Sequence, residues 1–87
     1  PRLLALMVAL PLLAFFANLE RELARAVRLA IDAGHLRPEL DVEQFVYELL
    51  GVVFAYYHRA RLLRRDDAAS RARAAFERLI ALASRKD

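Results

Sequence analysis

Apolar residues recur along this chain at spacings of three and four, the period of one helix face, and no run alternates residue by residue as a half-buried strand would. Leu12, Phe16, Leu19, Leu23, Val27 and Ala30 trace one such stripe, with Arg21, Arg25, Arg28 and Asp32 on the opposite side. The stripe stops at Gly34, because glycine enters the left-handed cap conformation without steric cost, and Pro38 then forbids the same helix from resuming. Upstream of the stripe, residues 3–17 (LLALMVALPLLAFFA) carry no charge, and Pro11 among them predicts a helix kinked or restarted at that point. That stretch is shorter than the roughly 20 apolar residues a membrane span needs, and only Arg2 and the apolar middle fit a secretory signal. A buried helix is the expectation.

A second helix announces its own start. Asp41 stands at the N-cap, Gln44 three residues on gives a capping-box spacing, and Leu40 and Phe45 occupy the two positions of a hydrophobic staple. The pattern predicts a helix from Val42 to about Leu63 or Arg64, since Gly51 in its interior costs only about 1 kcal/mol against alanine. Arg61, Arg64 and Arg65 then complement the negative end of its dipole. Asp66 or Asp67 is the expected cap of a third helix, residues 68–84, whose stripe is Ala72, Phe76, Leu79 and Ala83 with Ala75 and Ile80 at the flanks. The short connection makes it antiparallel to the second helix. Residues 85–87 read as a frayed polar end.

Composition sharpens this picture at one point. In 87 residues, 59% are apolar, against the roughly 45–50% of an ordinary soluble domain. One domain of this size buries only about 60–65% of its unfolded surface, so the excess calls for cover from elsewhere. The second helix localises it. Phe45, Leu49, Val52, Tyr56, Ala60 and Leu63 share one face, yet the opposite side holds Tyr47, Leu50, Gly51, Phe54, Tyr57 and Leu62 instead of polar groups. A helix apolar nearly all round is buried nearly all round, which two neighbours cannot achieve. An identical subunit is the economical partner, and the small Gly51 and Ala55 would let two helix axes cross closely. The expected dimer interface is Tyr47, Gly51, Phe54, Ala55, His58 and Leu62 from this helix, with Ala72, Phe76, Leu79 and Ile80 from the next.

Candidate chemistry is sparse. Cysteine is absent, which removes disulfides and thiolate sites, and neither His35 nor His58 stands at metal-ligand spacing from a carboxylate. Ser70 and Ser84 lack a histidine or a glycine elbow nearby, and Glu20, Glu22, Glu43, Glu48 and Glu77 fit solvated helix faces, so no enzyme, cofactor or metal is expected. Net charge is +3, and the basic cluster at residues 58–65 (HRARLLRR) reads more simply as a helix end than as a nucleic-acid contact. Aromatic side chains with few polar groups suit an apolar small-molecule pocket, for which Phe15, Phe16, Asn18, Leu19, Tyr56 and Tyr57 are the candidates.

Several motifs together resemble the end of a TetR-family regulator: Ala33, Gly34, Leu36, Arg37, Pro38, Leu40 and Asp41 at the first turn, the central Gly51, the Leu62, Leu63, Asp66 and Asp67 turn, and Ala72, Phe76, Glu77, Arg78 and Leu79 in the last helix. The resemblance spans residues 21–83. It implies an all-α fold of three main helices, the last two forming a four-helix bundle in a homodimer, and one effector-binding and dimerisation domain over residues 1–87. It further implies a cytoplasmic transcriptional repressor, without a membrane partner, that senses a small apolar or aromatic molecule. DNA would be reached only through a helix-turn-helix N-terminal to this sequence, which opens on Pro1 and reads as a fragment. The competing expectation is a helical interaction module, or a periplasmic protein anchored by its apolar start.

Overall fold

The computed structural model describes residues 2–84; the polar end expected at residues 85–87 lies outside them. Three helices account for most of the chain: α1 (Arg2–Asp32), α2 (Val42–Tyr57) and α3 (Ala68–Ala83), with a π-helical turn, His58–Leu62, continuing α2. There is no strand among the described residues, only an isolated antiparallel bridge between Leu36 and Ser84.

The first correction concerns Pro11. α1 runs unbroken through it for 31 residues, so of the two expectations, a kink or a restart, the restart does not occur. Proline forfeits one backbone hydrogen bond and crowds the carbonyl four residues back, but Leu, Ala and Met dominate both flanks and are among the best helix formers. Propensity on either side carries the helix across the defect.

α1 ends in a six-residue cap built around Gly34, whose φ is 85°. The Gly34 N–H donates to the Ile31 carbonyl at 3.0 Å and the His35 N–H to that of Ala30 at 3.0 Å, the paired bonds of a Schellman motif. The reversed chain drops Leu36 into the core and lets the Arg37 N–H donate to the Ala83 carbonyl at 3.0 Å, which ties the first turn to the far end of α3. Asp41 then caps α2, its Oδ1 accepting from the Gln44 N–H at 3.1 Å. Only half of the expected capping box forms, because the Gln44 side chain turns forward to Glu48. Leu40 and Phe45 both join the core, as a staple requires.

A second correction lies at the end of α2. It does not reach Leu63 as an α-helix: the turn widens at His58, and the Leu63 N–H donates to the His58 carbonyl, five residues back, at 3.0 Å. Arg64 closes the turn with φ 51°, a left-handed conformation uncommon outside glycine. The expected cap of α3 differs too. Asp67 holds the N-cap position, but its carboxylate bonds none of the first amides of α3 and instead takes Arg59 and Arg71. Two guanidiniums outbid the backbone N–H groups, since a charge-assisted bond is about twice as strong as a neutral one.

The core is small: Val27, Leu36, Phe45, Val46, Leu79 and Ala83, with Leu23, Leu40, Leu49 and Ile80 around it. It joins the start of α2 to the end of α3, which fixes the pair as antiparallel. Helix α2 lies in the middle, and α1 and α3 each pack on it while their own backbones stay apart. The radius of gyration is 16.0 Å, where a compact chain of this length would have about 12 Å. Accessible surface is 7218 Å² for 9.9 kDa, about 2,000 Å² more than the scaling of compact monomers gives.

Candidate functional site

Because α2 is flanked by α1 and α3 on two sides, its circumference leaves two further arcs. The first carries Tyr47, Gly51, Phe54, Ala55 and His58, and all five are exposed. This is the α2 portion of the interface predicted from sequence, and the chain leaves it open. Gly51 is its centre: a Cβ built there meets nothing within 4 Å, so no packing inside the chain asks for glycine. Beside it a groove of roughly 440 Å³ runs between α2 and α3, with Gly51, Val52 and Ala55 on one wall and Ala75, Arg78 and Leu82 on the other.

Of the α3 residues chosen from sequence, only Leu79 lines this groove. Leu79 is buried in the chain's own core, Ala72 and Ile80 are half-buried, and Phe76 and Ile80 point to the far side of α3 from Gly51. The apolar stripe of α3 is consumed by α2. What α3 offers beside Gly51 is Ala75, Arg78 and Leu82, the last 70% exposed. The seven-residue spacing of Ala75 and Leu82 was the available signal, masked by the stronger Ala72 to Ala83 stripe. Leu62, in the π turn, is 75% exposed.

The aromatic candidates for a pocket are only partly gathered. Phe16 meets Phe15 and Phe54 edge to face, with ring centroids 5.3 and 5.7 Å apart. Tyr56 and Tyr57 meet edge to face at 5.5 Å, but Tyr56 turns toward α3 and lines a separate cleft there. Phe15 is exposed, Asn18 is exposed and holds Arg21, and Leu19 is half-buried. These six enclose no single cavity. An apolar hollow does exist on the second free arc of α2: a trough of roughly 380 Å³ floored by Phe45 and Leu49, walled by Leu23 and Val27 of α1 and by Phe76 and Ile80 of α3. A wider depression of roughly 620 Å³ between α1 and α2 is lined by charges of both signs, among them Glu20, Arg21, Arg28 and Glu43, and suits water better than an apolar ligand.

Charge gathers at the α2–α3 turn. Arg59 donates Nε to Oδ1 of Asp67 at 2.7 Å and Nη2 to Oδ2 at 2.9 Å, and Arg71 donates Nε to Oδ2 at 2.8 Å. These bonds, first from Arg59 and then from Arg71, hold the Asp67 carboxyl well below the usual carboxylate range. The Arg59 guanidinium is shifted up by the same contact. Among the described residues no three His, Asp or Glu side chains converge as metal ligands.

Residues 8–76 match the family of tetracyclin repressor-like C-terminal domains. The chain belongs to this family. Membership accords with a helical domain without strands, and domains of this TetR type serve in general as the ligand-binding and dimerisation part of a regulator, typically without catalysis. No curated protein and no solved structure matches the chain. The matched span includes most of α1, which is also long and apolar enough to cross a membrane, with mean hydropathy 2.0 over its most apolar 18 residues and none of them buried.

Proposed function

We propose that this TetR-family domain forms a homodimer through the open α2–α3 face and senses a small apolar or aromatic effector, whose binding controls DNA recognition by a helix-turn-helix outside this sequence. The observation that carries the reading is Gly51. A glycine in the middle of a helix costs about 1 kcal/mol relative to alanine, and the empty space around it leaves that cost unexplained within one chain. A second helix crossing at Gly51 and Ala55 explains it, since small residues let axes approach.

Tyr47, Phe54 and Leu82 supply large apolar groups around the small centre, and Glu48 and Arg78 supply opposite charges at the edge of the groove. Under the two-fold symmetry usual for dimers, the patch meets itself.

The trough between α1 and α3 supports the sensing half of the proposal. It falls within the roughly 300–1,000 Å³ of ordinary ligand sites, is lined by no Asp, Glu, Lys or Arg, with His35 and Ser84 as its polar groups, and lies between two helices whose backbones do not approach each other. An occupant would bridge α1 to α3 and so couple effector binding to the dimer pair. In a cytoplasmic repressor this would change the spacing of two DNA-binding heads, whose half-sites lie about 34–36 Å apart.

Light scattering on the eluted 87-residue chain tests the assembly: a mass twice 9.9 kDa is expected. A monomer at concentrations up to the millimolar range would sink it. The effector half is tested on a longer chain carrying the DNA-binding head, where operator release by a ligand that also raises the melting temperature is expected.

One observation favours a second reading, an anchored helical protein. Residues 3–17 are apolar around the whole helix, and the Leu and Phe side chains there are exposed, whereas a dimer partner covers one arc only. Flotation with neutral phosphatidylcholine vesicles decides between the two, since the regulator reading expects the chain to stay in the aqueous fraction.

A further inference from the structure

The trough between α1 and α3 has two unlike ends. Leu23 and Phe76 line one of them. At the other, the turn after α1 meets the close of α3, and the lining becomes polar with His35 and Ser84. The antiparallel bridge between Leu36 and Ser84 lays these two segments side by side, so both polar groups belong to the same end. Along α3, the run from Phe76 to Ser84 is about 12 Å at the helical rise per residue. Phe76 and Ile80 lie on the far side of α3 from Gly51, which keeps the trough clear of the proposed dimer face.

What the polar end can recognise follows from which protons are already engaged. The Ser84 hydroxyl donates to the Ile80 carbonyl at 2.7 Å, and its Oγ is left with lone pairs only. The His35 ring enters no side-chain hydrogen bond among the described residues, and an imidazole presents a ring N–H in either charge state. The end therefore offers one acceptor and one donor. A hydroxyl answers both, giving its hydrogen to Ser84 and accepting the His35 N–H on its oxygen. A carboxylate or an ether brings lone pairs alone, so the half-buried Ser84 oxygen would lose water without gaining a partner. No Lys or Arg lines the trough to hold a charged head in compensation.

We propose that the effector is a hydroxyl-headed apolar molecule, a medium-length alcohol or a phenol, lying along the trough with its O–H between Ser84 and His35. The inference rests on the reading of the trough as the effector site and adds the chemistry of the head group. A body of about 12 Å reaches from the polar end to Phe76. It displaces water from Phe45, Leu49 and Ile80, while the head fixes which way round it lies.

The test is a ¹⁵N-amide titration of the full 87-residue chain with 1-octanol, its isomer heptyl methyl ether, and octanoate, repeated on Ser84→Ala. Octanol is expected to shift the amides of Leu36, Leu49, Ile80 and Ser84. It is expected to bind about tenfold more tightly than either competitor, the effect of one hydrogen bond that it alone completes. In Ser84→Ala the alcohol and the ether should bind alike, because the acceptor that told them apart is gone. Should that variant fail to fold, His35→Phe keeps a ring at an exposed position without the N–H, and octanol affinity is expected to fall by a similar factor there. Ether binding as tightly as octanol to the unaltered chain would leave a trough that reads apolar surface alone, and octanoate binding as tightly would mean that the donor is not read. Either result overturns the head-group assignment while the trough stands as the effector site. If none of the three moves an amide along the trough, the assignment and the effector reading beneath it both fall.

Discussion

Arg59, in the π turn that ends α2, and Asp67, at the head of α3, meet in a two-pronged ion pair with N–O distances of 2.7 and 2.9 Å. Eight residues separate them in sequence, and the whole reversal between the two long helices lies inside the loop they close. The pair accounts for two departures from regular helix geometry. The π turn carries Arg59 to the loop, and Asp67 gives up its capping role to receive it.

Replacing Asp67 by Asn should lower stability at neutral pH and remove part of its pH dependence. The carboxyl is depressed in the folded chain, chiefly by the hydrogen bonds from Arg59 and Arg71. A depressed acid contributes stability that is fully present above its unfolded value, about 4, and is lost as pH falls through the lower folded value. Urea midpoints of the two proteins should therefore differ by a constant amount above about pH 5 and draw together progressively only as pH falls below about 4. A gap that stays constant down to pH 2.5 would show that Asn disturbs the loop for reasons other than the clasp.

At Gly34 the expected cost is steric. With φ at 85°, the position lies in the left-handed region where a Cβ costs roughly 1–2 kcal/mol. Gly34→Ala should lower stability by about that amount in chemical denaturation, with an unchanged m-value. The bond from Arg37 to Ala83 hangs from this cap, so amide exchange should quicken at Gly34, His35 and Arg37 together.

Asp41→Ala should cost about 1 kcal/mol, the usual worth of an N-cap. Its Oδ1 is the recorded side-chain cap of α2, and the capping-box return bond that could have compensated is absent because Gln44 engages Glu48. Asp41→Asn or Asp41→Ser should recover most of the loss, as both side chains can accept from the Gln44 N–H. Thermal melts of the three variants side by side check the order.

How much of this was readable in advance follows from how local each determinant is. Gly34, Asp41, Leu40 and Phe45 act through residues three to five positions away, so their types and spacing already spelled out the first turn and the start of α2. Pro11 does not restart the helix, because the helix formers on both sides act as a sum against its single penalty. The clasp of Arg59 by Asp67 was hidden, since it depends on a widened turn that no periodicity announces. On α3 the sequence showed one strong stripe and could not show that α2 uses it up, which is why Leu79 reads as interface in sequence and as core in the fold. The exposed face of α2 was legible because it needed no knowledge of any neighbour.

Gly51 separates the stability of one chain from the assembly of two. Its surroundings are empty in the single chain, so Gly51→Ala should raise the intrinsic stability of the monomer by about 1 kcal/mol, the helix propensity gained. The same methyl would stand at the proposed crossing point of two helices, where each added atom holds the axes apart and strips contacts from the flanking Tyr47, Phe54 and Ala55. Self-association should weaken even as the monomer is strengthened, and Gly51→Leu should abolish it. Sedimentation velocity over a dilution series gives the first quantity, and urea unfolding at low micromolar concentration gives the second. Opposite signs are the expectation, because no role confined to one chain has a methyl at Gly51 both stabilise the fold and loosen the dimer. If alanine left association untouched, the close crossing would have to lie elsewhere on the face, and Leu82 and Ala75 would be the next residues to carry it.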